Sequence, residues 1–260
     1  MIHGWGGEDG RLQGALELAA IPYVGAGVLG SAAGMDKVTA KLLFEARGLP
    51  VAPWLPFSLD ERAEQRMLAE LGLPLFIKPA NGGSSVGITR VAAEKNLSAA
   101  IDVALECDSK GLAERALDAR EIECAVLGNA EPQASALGEI IPSGEFYDYE
   151  AKYLDDSSEL RIPAELDEKC AERAKELAVE AYRALDLCGF ARVDFLLERP
   201  TGELFLNEVN TLPGFTPISM FPKLWEVSGL PYPRLIERLV ELARERWSEM
   251  RRLRTRLRSV

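Results

Sequence analysis

The chain has 260 residues with 30 Lys+Arg against 41 Asp+Glu, a net charge of −11, and a single histidine. An acidic balance excludes phosphate-backbone or anionic-membrane binding as its main task, since both need a basic footprint. One histidine excludes any site built from several imidazoles. A hydrophobic content of 47% with 27% charged residues is that of a folded globular protein. Cys107, Cys124, Cys170 and Cys188 show no CxxC spacing and read as free thiols in a reducing cytosol. The start MIHGWGG has no basic then apolar signal pattern, and no apolar run approaches the roughly 20 residues of a membrane span. A cytoplasmic protein that binds neither nucleic acid nor membrane is expected.

In chain order, HGWGGEDG is a glycine-rich polar loop, and RLQGALELAA predicts a short helix with Leu12, Leu16 and Ala19 or Ala20 inward. IPYVG predicts a buried strand. A loop, a helix and one strand make half of an α/β unit, so the beginning reads as a cut. Between Ser31 and Gly48 a helix is predicted with Val38, Leu42 and Ala46 on one stripe, Lys37 and Lys41 on the next, and Gly48 as a left-handed C-terminal cap. VAPWLPF is too proline-rich for a central strand and reads as an edge or connector. Ser58 and Glu61 form a capping box for a helix reaching about Leu71. PLFIKPA and ITRV predict strands flanking the loop NGGSSVG, and a helix covers Leu97 to Leu105. GLAERAL, EIECAVLG and QASALGEII predict strands, and YDYEAKYLDDSSELR a mobile surface loop. Leu166 to Leu185 is expected as the longest helix, FARVDFLL and ELFLNEVN as strands joined at ERPTG, and a last helix from Tyr232 packs through Leu235, Leu239, Leu242 and Trp247. Arg244 to Arg258 holds seven arginines and two glutamates, a frayed solvated helix end or a partner-binding segment. No internal repeat or low-complexity segment interrupts the chain.

The densest chemistry lies in the last strand pair. Alternation puts Arg192 with Asp194 on one face, and Glu208 with Asn210 on a face shared with Leu204 and Leu206. An odd-length turn centred near Thr201 sets Asp194 opposite Glu208 and Arg192 opposite Asn210. Two facing carboxylates repel unless a cation sits between them. Either Arg192 supplies it, leaving a salt-bridged hairpin face, or a hard divalent ion does, with two carboxylates and an amide oxygen as ligands. NGGSSVG after Lys78 is either a plain hairpin turn or a set of N–H and hydroxyl donors for phosphate. Lys37 and Lys78 are either solvated or set against an anion. NTLPGFT, holding Pro213 and Gly214, is suited to keeping a small substrate close to backbone. Taken in this order the features favour phosphoryl transfer. The chain has no GxxxxGK[ST].

On HGWGGEDGRLQG, IPYVGAGVLGSAAGMDK, IKPANGGSSVG, FYDYEAKY, GFARVDF and LNEVNTLPGFTPISM, the chain resembles the D-alanine–D-alanine ligase family of the ATP-grasp superfamily, from the first of these motifs to about Arg246. The resemblance implies an α+β ATP-grasp fold. Its parts would be a remnant of an N-terminal α/β domain (1–30), a central subdomain (31–113), a C-terminal subdomain carrying the metal and substrate site (114–246), and a basic tail (247–260). It implies ATP as substrate, with Lys37 and Lys78 on its α- and β-phosphates, Glu114, Arg115 and Leu117 at the adenine, and Glu121 on the ribose. Two magnesium or manganese ions would sit on Asp194, Glu208 and Asn210. Lys152 and Tyr153 would belong to a closing loop, Lys152 reaching the γ-phosphate. Arg192, Ser84 and Gly214 would surround the reacting carboxylate, His3 the first amino acid, and Ser219 with Met220 the carboxylate of the second.

The activity implied is ATP-dependent joining of two D-alanines through D-alanyl phosphate, for peptidoglycan precursors. The alternatives are a nucleotide- and magnesium-binding fragment without turnover, or ligation of D-serine or D-lactate. Glu150, Lys152 and Tyr153 stand where lactate-type relatives place a histidine, which favours D-alanine. Two departures from the family are expected: Arg115 in place of a lysine, and the absence of a region of roughly a hundred residues that carries the first substrate's glutamate. The family's homodimer is implied too, weakened by that absence. The segments Arg11–Ala20 and Ile21–Gly25 are then expected to expose apolar surface.

Overall fold

A computed structural model describes residues 4–83, 86–141, 159–216 and 218–257. The first helices are α1 (Arg11–Leu18), α2 (Val28–Met35) and α3 (Lys37–Ala46). In α1 the buried residue is Gln13, whose amide donates to Gly7 O at 2.9 Å. Leu12 and Leu16 are only half-buried, Ala19 and Ala20 are exposed, and Leu18 is 92% exposed. Residues 21–25 form no strand, and Ile21 is exposed there.

The helix expected between Ser31 and Gly48 is two helices, broken where Asp36 turns extended and caps α3 by accepting from Thr39 N at 2.9 Å. The buried stripe of α3 is Ala40, Lys41 and Phe44, while Leu42 and Ala46 face solvent. Periodicity found the helix and missed its phase, because a lysine with a buried partner belongs to the inner face. Gly48 at φ 69° ends the segment left-handed, as expected.

A four-stranded sheet follows, from β1 (Trp54–Ser58), β2 (Leu75–Pro79), β3 (Thr89–Val91) and β4 (Lys110–Arg115), in the order β1-β4-β2-β3. The proline-bearing β1 lies at its edge. Ser58 Oγ does accept from Glu61 N, at 3.2 Å, but the helical turn (α4, Glu64–Arg66, running into a π-turn over Met67–Leu71) begins three residues later. Helix α5 (Leu97–Cys107) covers this sheet, with Ile77, Val91, Leu97, Ile101 and Ala113 in its core.

The second sheet comprises β5 (Ala119–Leu127), β6 (Gln133–Ile141), β7 (Glu159–Arg161), β8 (Phe190–Glu198) and β9 (Leu204–Asn210), in the order β7-β6-β5-β8-β9, with every pair antiparallel. Strand β7 takes the last three residues of the segment expected as a loop; the rest of it, 147–158, lies outside the described residues. Helix α6 (Glu168–Ala184) packs on one face through Ala174, Leu177, Ala178 and Tyr182, against Ile122, Cys124, Val193, Phe195 and Leu206. Residues Ala40 and Phe44 of α3 join that core. Helices α7 (Met220–Val227) and α8 (Tyr232–Leu257) cover one end of the opposite face, over Ala125, Leu127 and Phe190. With 26 residues, α8 exceeds the 17 of α6, which the sequence suggested was longer. Leu235, Leu239 and Leu242 are buried as expected. Its Arg246 is not solvated: it bonds Glu17 Oε1 and Tyr23 Oη, each at 2.8 Å, and lies over the Tyr23 ring.

Candidate active site

Beyond the end covered by α7 and α8, that face of the second sheet turns polar. Alternation places Glu121 and Glu123 of β5 beside Arg192 and Asp194 of β8. Glu123 pairs with Asp194, and Asp194 in turn with Glu208. Arg192 lies opposite Asn210, as expected. The local cause differs from the one expected. The hairpin pairs Leu197 with Leu204 and Phe195 with Leu206, and an irregularity after Asp194 shifts the register so that Asn207 is the extra residue. That shift turns Glu208 and Asn210 away from Leu204 and Leu206, which stay buried with Val209. Without the bulge Glu208 would face the core.

Arg192 fills the space between the carboxylates. Its Nε and Nη2 donate to the two oxygens of Asp194 at 2.7 Å each, and Nε lies 3.0 Å from Glu123 Oε2. Burial works against the guanidinium's charge, but Asp194 and Glu123 outweigh it and raise its pKa well above the ordinary arginine value. Asn210 Nδ2 donates to Asp194 Oδ2 at 2.9 Å. The donor set fits a hard divalent cation: two opposed carboxylates and an amide, all bearing oxygen. In the structure Arg192 provides the counter-charge, so a cation would take over Asp194 from it.

The first sheet brings lysines to the same place. Lys78 of β2 donates to Glu114 Oε2 at 2.6 Å, and Lys41 of α3 donates to Glu114 Oε1 at 2.9 Å. Glu114 is 1% exposed. Burial alone would push its carboxyl up; the two ammonium groups reverse this and hold it at about 2. Burial disfavours the Lys78 charge as well, yet Glu114 raises its pKa, and Glu208 and Glu121 act on it from the second sheet. The two sheets therefore share one electrostatic site. The mouth of the glycine loop is tied to α3: Lys37 N donates to Ala80 O at 2.9 Å and Lys37 Nζ to Gly82 O at 2.8 Å. Asn81 donates through N and Nδ2 to Asp108 Oδ2, each at 2.8 Å.

Other expected residues fall as follows. The Arg115 guanidinium bonds Leu71 O at 3.1 Å and its N–H bonds Pro53 O at 2.9 Å, so both are engaged within the protein. Leu117 lies in the connection between β4 and β5. Gly214 packs against Ser219, where an added Cβ would come within 2.8 Å of the hydroxyl. Ser219 Oγ accepts from Thr216 N at 3.0 Å. The Met220 side chain is buried over Gly138. His3, Ser84, Lys152 and Tyr153 lie outside the described residues.

Two residues of this cluster carry no role in the sequence reading. Glu123 was legible in principle, sharing a strand face with Glu121 two residues before it. Lys41 stands out in the sequence only as a neighbour of Lys37, one helical turn on. Its partner lies 73 residues on, and no local pattern announces that.

A family profile described as D-ala D-ala ligase C-terminus matches residues 43–241. A D-alanine–D-alanine ligase of Acetivibrio thermocellus is 49% identical over 255 residues, spanning 96% of this chain and 68% of that protein. The solved D-alanine–D-alanine ligase of Coxiella burnetii is 40% identical with a TM-score of 0.88, over 97% of this chain and 69% of that one. The VanG D-Ala:D-Ser ligase of Enterococcus faecalis is 42% identical with a TM-score of 0.85, over 93% and 71%. With its profile spanning most of the chain, and near-half identity to a relative of which it covers more than two thirds, this protein belongs to the D-alanine–D-alanine ligase family.

Proposed function

We propose that the chain joins two D-alanines using ATP, through D-alanyl phosphate, as a step in making peptidoglycan precursors. What supports this above all is the convergence of Lys78 from one sheet with Arg192, Asp194 and Glu208 from the other, a set suited to a nucleotide's phosphates and a hard cation. Magnesium or manganese held by Asp194, Glu208 and Asn210 would offset charge on the phosphate oxygens.

The remaining work falls to the chain. Lys37 and Lys78 hold α- and β-phosphates, the Glu114–Leu117 segment takes the adenine, and Glu121 takes the ribose. A carboxylate oxygen of the first D-alanine attacks the γ-phosphorus; that P–O bond forms as the bond to ADP breaks. The amine of the second D-alanine then attacks the acyl carbon, loses its proton, and phosphate leaves. Arg192 and the backbone at Gly214 face the negative oxygen that develops in both steps. Ser219 orients the second carboxylate. Lys152 and Tyr153, with Ser84 and His3, complete the set.

The test incubates the 260-residue chain with ATP, magnesium and D-alanine and measures D-alanyl-D-alanine by mass spectrometry alongside ADP. D-serine and D-lactate are offered in parallel, since one structural relative is a D-Ala:D-Ser ligase. Dipeptide from D-alanine is the expected product. ADP without dipeptide, or a mixed product in preference to it, would replace this reading.

A further inference from the structure

Lys41 takes no part in that chemistry, yet it is among the most buried charges of the described residues, 2% exposed. It sits in the middle of α3, between Ala40 and the core residue Phe44, and its ammonium is 2.9 Å from Glu114 Oε1. Lys78 holds the other oxygen, Oε2, at 2.6 Å. The two lysines differ in access. The Lys78 side chain is 14% exposed and feels Glu208 and Glu121 of the facing sheet, whereas that of Lys41 is 3% exposed.

A phosphate-binding lysine bound to a buried carboxylate presents a difficulty. Its charge is spent on that carboxylate, and turning toward another anion would leave the carboxylate buried without a counter-charge. Separate oxygens resolve it. With Lys41 on Oε1, Glu114 stays compensated when Lys78 gives up Oε2 or shares it. Two ammonium groups on one carboxylate also leave a positive excess, which attracts an anion more strongly than a neutral pair would.

Resting on the nucleotide reading of this site, we propose that Lys41 is a positioning residue: it holds the standing counter-charge of Glu114 and so makes Lys78 available to nucleotide phosphate. Lys41 itself touches no substrate.

The experiment measures ADP binding in the presence of magnesium by calorimetry, with folding checked by circular dichroism, for wild type and four variants: Lys78→Ala, Lys41→Met, Glu114→Gln and Lys41→Met/Glu114→Gln. Lys78→Ala tests the underlying reading and should weaken ADP binding by more than tenfold; wild-type affinity there would remove that reading and this proposal together. Lys41→Met should also weaken binding about tenfold, because Lys78 is then committed to an uncompensated Glu114. Glu114→Gln weakens ADP binding by whatever its place at the adenine is worth, so it serves as the reference for the double variant. In that background Lys41→Met should cost less than twofold, since Lys78 then faces a neutral amide. A packing role for Lys41 would cost the same with or without the charge on Glu114. Lys41→Met binding ADP within twofold of wild type overturns the proposal, as does a loss of the same size in both backgrounds. If Lys41→Met fails to fold, Lys41→Met/Glu114→Gln against Glu114→Gln decides: affinities within twofold support the proposal, and a tenfold or greater loss ends it.

Discussion

Glu123 stands behind Arg192: on neighbouring antiparallel strands, its Oε2 lies 3.0 Å from the arginine Nε that also grips Asp194. If a cation takes Asp194, Glu123 is the carboxylate in contact that still fixes the guanidinium. Glu123→Gln keeps the shape and removes the charge. Dipeptide formation should fall about ten- to hundredfold with little change in the KM for ATP, as expected for a misplaced stabilising group. Turnover at the wild-type level would show that Arg192 is held well enough without it.

Glu208→Gln should abolish magnesium-dependent nucleotide binding or turnover while leaving the circular dichroism spectrum unchanged. Glu208 sits on the polar face of β9 after the bulge, so its charge is not needed by the core. Magnesium-dependent ADP affinity equal to wild type would exclude Glu208 as a ligand.

Glu114 makes stability depend on pH. Its folded pKa, about 2, lies below the ordinary 4.5. A depressed carboxyl stabilises the fold above its unfolded pKa, and that contribution is lost as pH falls from about 4.5 toward 2. The size is on the order of 3 kcal/mol at neutral pH. Urea unfolding of wild type and Glu114→Gln should therefore show a gap at pH 7 that narrows steadily below about pH 4.5. A gap constant down to pH 3 would mean that the carboxylate is not held by its two lysines.

Arg246→Ala should loosen the segment preceding α2. The arginine joins α8 to Glu17 and Tyr23, with both partners of the ion pair mostly buried. A loss of about 1–2 kcal/mol is expected. Hydrogen exchange should speed up across residues 11–27 and stay unchanged in the second sheet. Uniform exchange changes would point to a global effect in place of a local clasp.

Much of the fold was legible locally. Strand alternation in GFARVDF, the proline-marked edge strand and the glycine after α3 each follow from the chemistry of a few adjacent residues, and the structure has them where expected. The strand expected over residues 21–25 is absent, because an apolar run forms a strand only when a neighbour pairs with it. The inner phase of α3 is hidden from apolar spacing, because its buried stripe includes Lys41.

The sequence by itself determined which residue types could meet phosphate and metal, and that Asp194 and Glu208 belong to paired strands. Tertiary structure alone decided which way Glu208 points, since one extra residue at a bulge reverses a strand's faces. It alone decided, too, that Lys41 and Lys78 share Glu114, for a buried charge selects its partner by distance in the folded chain, and these residues are far apart along it.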